Sequence, residues 1–280
     1  MAPPPTPTGA RLQPLADWPL AARSGIVGVL TDIDDTLTTD GAITADALAA
    51  LSALRAAGLR VVPITGRPVG WSLPFASSWP VDAIVAENGS VALVPGPGGR
   101  LVRHYQQDEA TRAANFARLQ QVAQQVLREV PGTALATDSP GRETDIAIDH
   151  SEYSHLAPDQ IAQVVALMRG EGMHATVSSI HINGWYGEHD KLSGARWTVR
   201  TLWGRDLEAE IGHWVYVGDS TNDQKMFERF PHSVGVANIA RFLPELEHLP
   251  CWLAKRERGA GFAEVARALL DARAGYMLGD

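Results

Sequence analysis

A chain of 280 residues with 45% hydrophobic side chains is long enough for one large domain or two modest ones. Its net charge of −8 excludes nucleic acid and anionic membrane as main partners, and leaves room for a small anionic molecule met by locally placed cations. The single cysteine, Cys251, excludes an internal disulfide and suits a reducing, cytoplasmic setting; no run is long and apolar enough to span a bilayer.

Residues 1–24 read as a Pro-rich leader, loose as far as about Trp18. Residues 27–37, VGVLTDIDDTL, form the stretch around which the rest of the chain is organised. An apolar run that ends in carboxylates fits a strand buried on both faces of a parallel sheet. Asp32 and Asp34 then stand at the strand's carboxyl end, where open α/β sheets bind ligands. Alternation along extended backbone would aim both the same way, with Asp35 turned elsewhere. Two carboxylates held this close call for either a shared proton or a bound cation.

Residues 38–41 read as a turn, and Thr44 as the N-cap of a helix over 45–57 closed by Gly58. A second buried strand, 59–64, ends in Thr65-Gly66-Arg67-Pro68, with Pro68 suited to the first turn of the next helix. A third strand of the parallel set covers 81–86 and ends in Glu87-Asn88-Gly89. The rhythm then changes. Segments 91–94 and 101–104 flank Pro95 to Gly99 as a hairpin. A polar helix over 108–130 stops at Pro131-Gly132, a half-buried strand covers 144–148, a second helix 157–169, and one or two strands 175–182. This block reads as a small antiparallel sheet covered by two helices and inserted into the parallel core. The parallel pattern returns near Trp185, with a helix over 191–202 and a strand over 214–217 that runs into GDSTND. A helix over 225–230, short strands at 233–236 and 251–254, and a last helix over 261–273 complete the chain. The expected architecture is α/β: a Rossmann-like parallel-sheet core over 25–89 and 186–280, with an inserted α/β cap over 90–185.

Four polar clusters fall at strand or helix ends: Asp32/Asp34/Thr36, Thr65/Gly66/Arg67, Lys191, and Asp219/Asn222/Asp223. Singly, each is an ordinary cap, turn or surface residue. Together they fit one task. Mg²⁺ needs about six oxygens, water and substrate phosphate among them. Asp32 and Asp219 offer carboxylates, Asp34 its backbone carbonyl, and Asp223 a direct or water-orienting oxygen. Asp32 is then the candidate nucleophile toward phosphorus, and Asp34 the general acid and base. Thr65, the Gly66 amide, Lys191 and Asn222 are candidate donors to the phosphate oxygens. His150, His155, His181 and His189 match no zinc-ligand spacing.

These motifs resemble those of the haloacid dehalogenase-like superfamily. DIDDT at 32–36 is similar to its DxDxT signature, and ITGRP, Lys191 and GDSTND to its other three motifs. The insertion resembles the cap of the Cof-type (subfamily IIB) sugar-phosphatase branch, which includes sucrose-phosphate, trehalose-phosphate and mannosyl-3-phosphoglycerate phosphatases. The resemblance implies a Mg²⁺-dependent phosphatase that works through an aspartyl-phosphate on a small phosphorylated metabolite. It also implies that the cap selects the substrate, with Arg142, Glu143, His181 and Asn183 as candidate contacts; Asn88 and Gly89 stand at the exit to the cap. Three alternatives share parts of this pattern: a phosphomutase, a receiver-like signalling module, and a silent sugar-phosphate sensor. The pattern assigns no oligomeric state.

Overall fold

The computed structural model describes residues 12–277. The chain divides into two compact units, one formed by Met1–Val62 with Asp206–Asp280 and the other by Pro63–Arg205. Among the described residues no helix is long and apolar enough to cross a membrane.

The first unit is built on a six-stranded sheet, in the order Gln13–Pro14, Trp252–Leu253, Ser233–Gly235, Trp214–Gly218, Gly28–Thr31, Arg60–Pro63. The first four neighbouring pairs in that order are parallel. Val29 and Leu30 on one central strand and Val215 and Val217 on the next are fully buried, as the unbroken apolar runs require. Helix Ala45–Ala56 starts at Thr44, whose side chain accepts from Ala47 N, and packs against helix Arg258–Met277. The turn expected at 38–41 is the loop of a small hairpin, Thr38–Thr39 with Ala42–Ile43. Asp40 and Gly41 take φ of 51° and 77°, the two positive values that a tight two-residue hairpin loop needs.

The leader reading fails for residues 13–24. Gln13–Pro14 adds an edge strand beside Trp252–Leu253, and Leu15 and Trp18 are buried. Trp18 stacks on Trp252 with ring centroids 6.1 Å apart. Prolines suit an edge strand, and the apolar pair between them supplies the burial. Residues 1–11 of the proposed leader lie outside the described residues.

The second unit contains two antiparallel sheets. One runs His174–Val177, His181–Trp185, Asp145–Asp149, Ala134–Leu135. Helices Glu109–Glu129 and Pro158–Gly170 cover it around Leu119, Val126, Ile146, Val164 and Ile182. This is the helix-covered antiparallel block expected from the sequence. The other sheet runs Ile84–Ala86, Val91–Pro95, Leu101–Tyr105. Here the structure corrects the expectation. Ile84–Ala86 pairs antiparallel with the hairpin, and its parallel tie is the bridge Ile64↔Val85. The cause is a reversal at Glu87, Asn88 and Gly89, whose φ values are 48°, 54° and 110°. Three left-handed residues in succession fold the chain back on itself.

Candidate active site

In the first unit the strand ends bring carboxylates together. Val217 lies opposite Thr31, and Asp32 N donates to Val217 O at 2.8 Å. Asp32 and Asp219 therefore leave adjacent parallel strands at nearly the same level. Helical turn Thr221–Asp223 folds Asp223 back toward them. Asp32, Asp219 and Asp223 are all buried, and each offers an oxygen within 4.8 Å of the others.

Each of the latter two has a distinct environment. Asp223 Oδ2 accepts from the backbone N–H of Asp219 (2.9 Å) and of Ser220 (3.1 Å), while Oδ1 accepts from the Tyr216 hydroxyl. Asp219 accepts from Thr36 Oγ1 at 3.3 Å and from Asn238 Nδ2 at 3.0 Å, with Arg241 Nη2 at 3.5 Å. Burial, and then the facing carboxylates Asp32, Asp223 and Asp35, push the Asp219 carboxyl well above the usual range, against the pull of Arg241. Burial, and then Asp223, Asp32 and Asp219, push the Tyr216 hydroxyl up, keeping it a donor. Three buried acids facing one another form an oxygen-only donor set, and its concentrated negative charge fits a hard divalent cation such as Mg²⁺.

The strand ends at Thr31, so Asp34 lies in a turn rather than on extended backbone. Alternation therefore does not set its direction, and its half-buried carboxylate is not one of the three. Asp35 does turn elsewhere, as expected: its φ is 56°, and its carboxylate meets Arg241 at 2.7 Å and Arg258 at 3.2 Å. Asn222 accepts from Ser220 Oγ at 3.0 Å, which directs its side-chain N–H donors away from that hydroxyl.

In the second unit the turn after strand Arg60–Pro63 carries Thr65, Gly66 and Arg67. Thr65 Oγ1 accepts from Arg67 N at 2.9 Å. Lys191, buried, is the first residue of helix Lys191–Trp203, capped by Asp190 accepting from Ser193 N at 2.7 Å.

Three of the four cap candidates gather about this turn. Arg142 Nη1 lies 2.8 Å from Asp145 and donates to Gly66 O at 3.0 Å, while Nη2 lies 3.0 Å from Asp138. Asn183 donates to Asp145 at 3.1 Å and to Gly66 O at 3.3 Å. His181 pairs with Glu152 at 2.8 Å, and Glu152 in turn holds Arg67 at 2.8 Å, with Asp138 on its other side at 3.0 Å. Glu143 goes elsewhere, to the Tyr105 hydroxyl at 2.6 Å and Arg103 at 3.1 Å. Asp138, Glu152 and Glu87 carry no spacing signal in the sequence and were missed. Glu87 is fully buried: burial pushes its carboxyl up, against bonds from the Thr144 side chain and from Val69 N, Glu143 N and Thr144 N.

The sheet order and the acidic strand ends define the class of fold as α/β, a parallel sheet that carries carboxylates at the ends of its central strands. Residues 29–129 match the model of a family described as haloacid dehalogenase-like hydrolase, a span that includes the first two motifs. The resemblance drawn from those two motifs is supported over that span. A solved structure from Thermoplasma acidophilum aligns with a TM-score of 0.66 at 15% identity, over 87% of this chain and 98% of that one. The sucrose-phosphatase of Synechocystis, solved with sucrose and phosphate, aligns at 0.60 and 17% identity, over 87% and 97%. The C-terminal domain of C. albicans trehalose-6-phosphate phosphatase aligns at 0.64 and 14% identity, over 90% and 96%. At these identities the likeness is one of fold. No curated protein matches the chain.

Proposed function

We propose that this chain is a Mg²⁺-dependent phosphomonoesterase that hydrolyses a small sugar phosphate through an aspartyl-phosphate. The observation that carries the reading is the buried trio Asp32, Asp219 and Asp223, in which burial, and then the facing carboxylates, push the Asp219 carboxyl up. Such a trio is costly without a cation. Mg²⁺ held by Asp32, Asp219 and the Asp34 carbonyl, with Asp223 fixing the turn or orienting ligand waters, would neutralise this charge and admit a phosphate dianion.

Asp32 attacks phosphorus; the new carboxylate–phosphorus bond forms as the ester oxygen leaves. Asp34 gives its proton to that oxygen and then takes one from the water that cleaves the acyl-phosphate, which restores both acids and releases inorganic phosphate. Thr65, the Gly66 N–H, Lys191 and Asn222 donate to the phosphate oxygens on which charge gathers. The sugar assignment is supported by two solved neighbours that are phosphatases of sucrose and trehalose phosphates. The lone Cys251 supports a reducing, cytoplasmic setting.

The test is phosphate release from a panel of sugar phosphates by the purified chain with Mg²⁺. Asp32→Asn keeps the shape of the site but lacks a nucleophile. Its turnover is expected to drop on the order of a thousandfold or more, with its melting temperature preserved. Near-parent turnover in that variant would remove the mechanism.

A further inference from the structure

The turn at 65–67 is gripped by its carbonyls. Thr65 O accepts from Asn88 N at 2.9 Å, and Arg67 O accepts from Glu87 N at 3.0 Å. Both donors are backbone groups of the reversal that leads out of strand Ile84–Ala86. The middle carbonyl, Gly66 O, is held by two side chains of the inserted block, Arg142 and Asn183. The surroundings leave the turn little freedom: a Cβ added at Gly66 would lie 3.1 Å from Asn183 Oδ1 and 3.3 Å from the Asn88 amide. Arg67 is clasped on both sides by carboxylates of the same block, Asp138 and Glu152.

The two donors are themselves immobilised. Asp145, wholly buried, lies between the Arg142 guanidinium and the Asn183 amide and engages both. Asp138 bridges Arg142 and Arg67, one oxygen to each. A guanidinium fork fixed by two carboxylates has little rotational freedom left. The Thr65–Gly66 peptide is trans, so with its C=O turned to Asn88 its N–H points the opposite way. The next peptide plane, and with it the Arg67 N–H that occupies Thr65 Oγ1, is set by the bonds on Gly66 O.

We propose that Asn183 and Arg142 are positioning residues: they hold the Gly66 carbonyl, and with it the Arg67 N–H on Thr65 Oγ1, so that the inserted block sets the aim of the Thr65 hydroxyl. This rests on the phosphatase reading for what the turn binds, but not for the hold itself. It reverses the role expected of the pair, which is committed to the protein's own backbone and carboxylates rather than presented to sugar hydroxyls. A change at Asn183 therefore acts on every phosphomonoester alike.

Asn183→Ala is the main variant. Arg142→Ala would leave Asp145 buried without its counter-charge and risks unfolding, so Arg142→Lys, which keeps the charge but not the fork, is the second. Three quantities are read on folded protein, checked by circular dichroism: turnover of p-nitrophenyl phosphate and of the best sugar phosphate, calorimetric affinity for inorganic phosphate with Mg²⁺, and hydrogen exchange of the peptide spanning 63–69. In Asn183→Ala, kcat is expected to fall about tenfold on both substrates, since small misplacements of catalytic donors cost rate steeply. Phosphate affinity falls with it, exchange at 63–69 accelerates, and any rise in KM is the same for the sugar phosphate as for p-nitrophenyl phosphate. Arg142→Lys moves the same readouts in the same direction. A raised sugar-phosphate KM with p-nitrophenyl phosphate turnover intact would make Asn183 a sugar contact and overturn the proposal, and so would unchanged exchange at 63–69. A parent chain that hydrolyses neither substrate refutes the phosphatase reading, while exchange at 63–69 still decides whether Asn183 holds the turn.

Discussion

At the scale of single residues, the acidic cluster depends on who donates to whom. Asp223 directs Oδ2 to two backbone N–H groups of its own turn and Oδ1 to Tyr216. It therefore shapes the segment that presents Asp219, and the Tyr216 hydroxyl completes its hydrogen bonding in a site that is fully buried. Tyr216→Phe keeps the ring and its packing on Phe227 and Phe230 but leaves Asp223 Oδ1 without that donor. A buried charged acceptor stripped of a donor costs about 1–3 kcal/mol. Urea unfolding of the metal-free variant should show that loss with an unchanged m-value. A midpoint equal to the parent's would mean that Tyr216 matters for its ring alone.

At the scale of elements, glycine contacts fix where helices start. The first turn of helix Lys191–Trp203 lies against the reversal at 87–89: a Cβ on Gly194 would stand 2.5 Å from Gly89 Cα, and one on Gly89 would stand 2.2 Å from Asp190 O. Gly194→Ala must push the helix start away, and Lys191 with it. A cost of about 1–3 kcal/mol is expected from such overpacking, together with reduced phosphate affinity. Gly170→Ala is the control, since nothing lies within 4 Å of its added methyl; it should be neutral or stabilising by up to about 1 kcal/mol. Thermal melts of the two variants decide between them, and equal melting would remove the close-approach argument. Elements with local signals were legible in the sequence. Thr44 and Asp108 cap their helices through Ala47 N and Thr111 N, and Pro131-Gly132 ends the long helix where expected. The acidic strand ends were legible for the same reason, as a buried apolar run that stops in carboxylates is a local pattern. What stayed hidden depends on partners distant in sequence. Gln13–Pro14 is a strand only because Trp252–Leu253 lies beside it. The reversal at 87–89 uses left-handed Glu87 and Asn88, which propensity does not mark. The destinations of Arg142 and Glu143, adjacent residues with opposite neighbours, are set by tertiary approach alone.

At the scale of the whole molecule, the proposed Mg²⁺ would compete with protons for the same acids, and this fixes a pH dependence. Burial and its carboxylate neighbours raise the Asp219 carboxyl in the folded chain, while in the unfolded chain it titrates as an ordinary aspartate. Between those two values the folded, metal-free protein binds the extra proton, so its stability falls as pH rises through that window. Glu152 does not mask this. Burial pushes its carboxyl up, but bonds from His181 and Arg67 outweigh it and hold it at about 2. A lowered carboxyl contributes stability above its ordinary value and loses it only as pH falls toward 2, on the acid side of the Asp219 window. Mg²⁺ requires ionised ligands, so its binding releases the Asp219 proton and grows stronger with pH over the same window. The gap in melting temperature between Mg²⁺-loaded and chelator-treated protein should therefore widen as pH is raised from about 5, toward the shift produced by the roughly 2.7 kcal/mol of stabilisation expected at a hundredfold excess over the dissociation constant. Phosphate release should stop with chelator and return with Mg²⁺ across that range. A melting temperature indifferent to chelator at every pH would mean that the three buried aspartates hold protons rather than a metal.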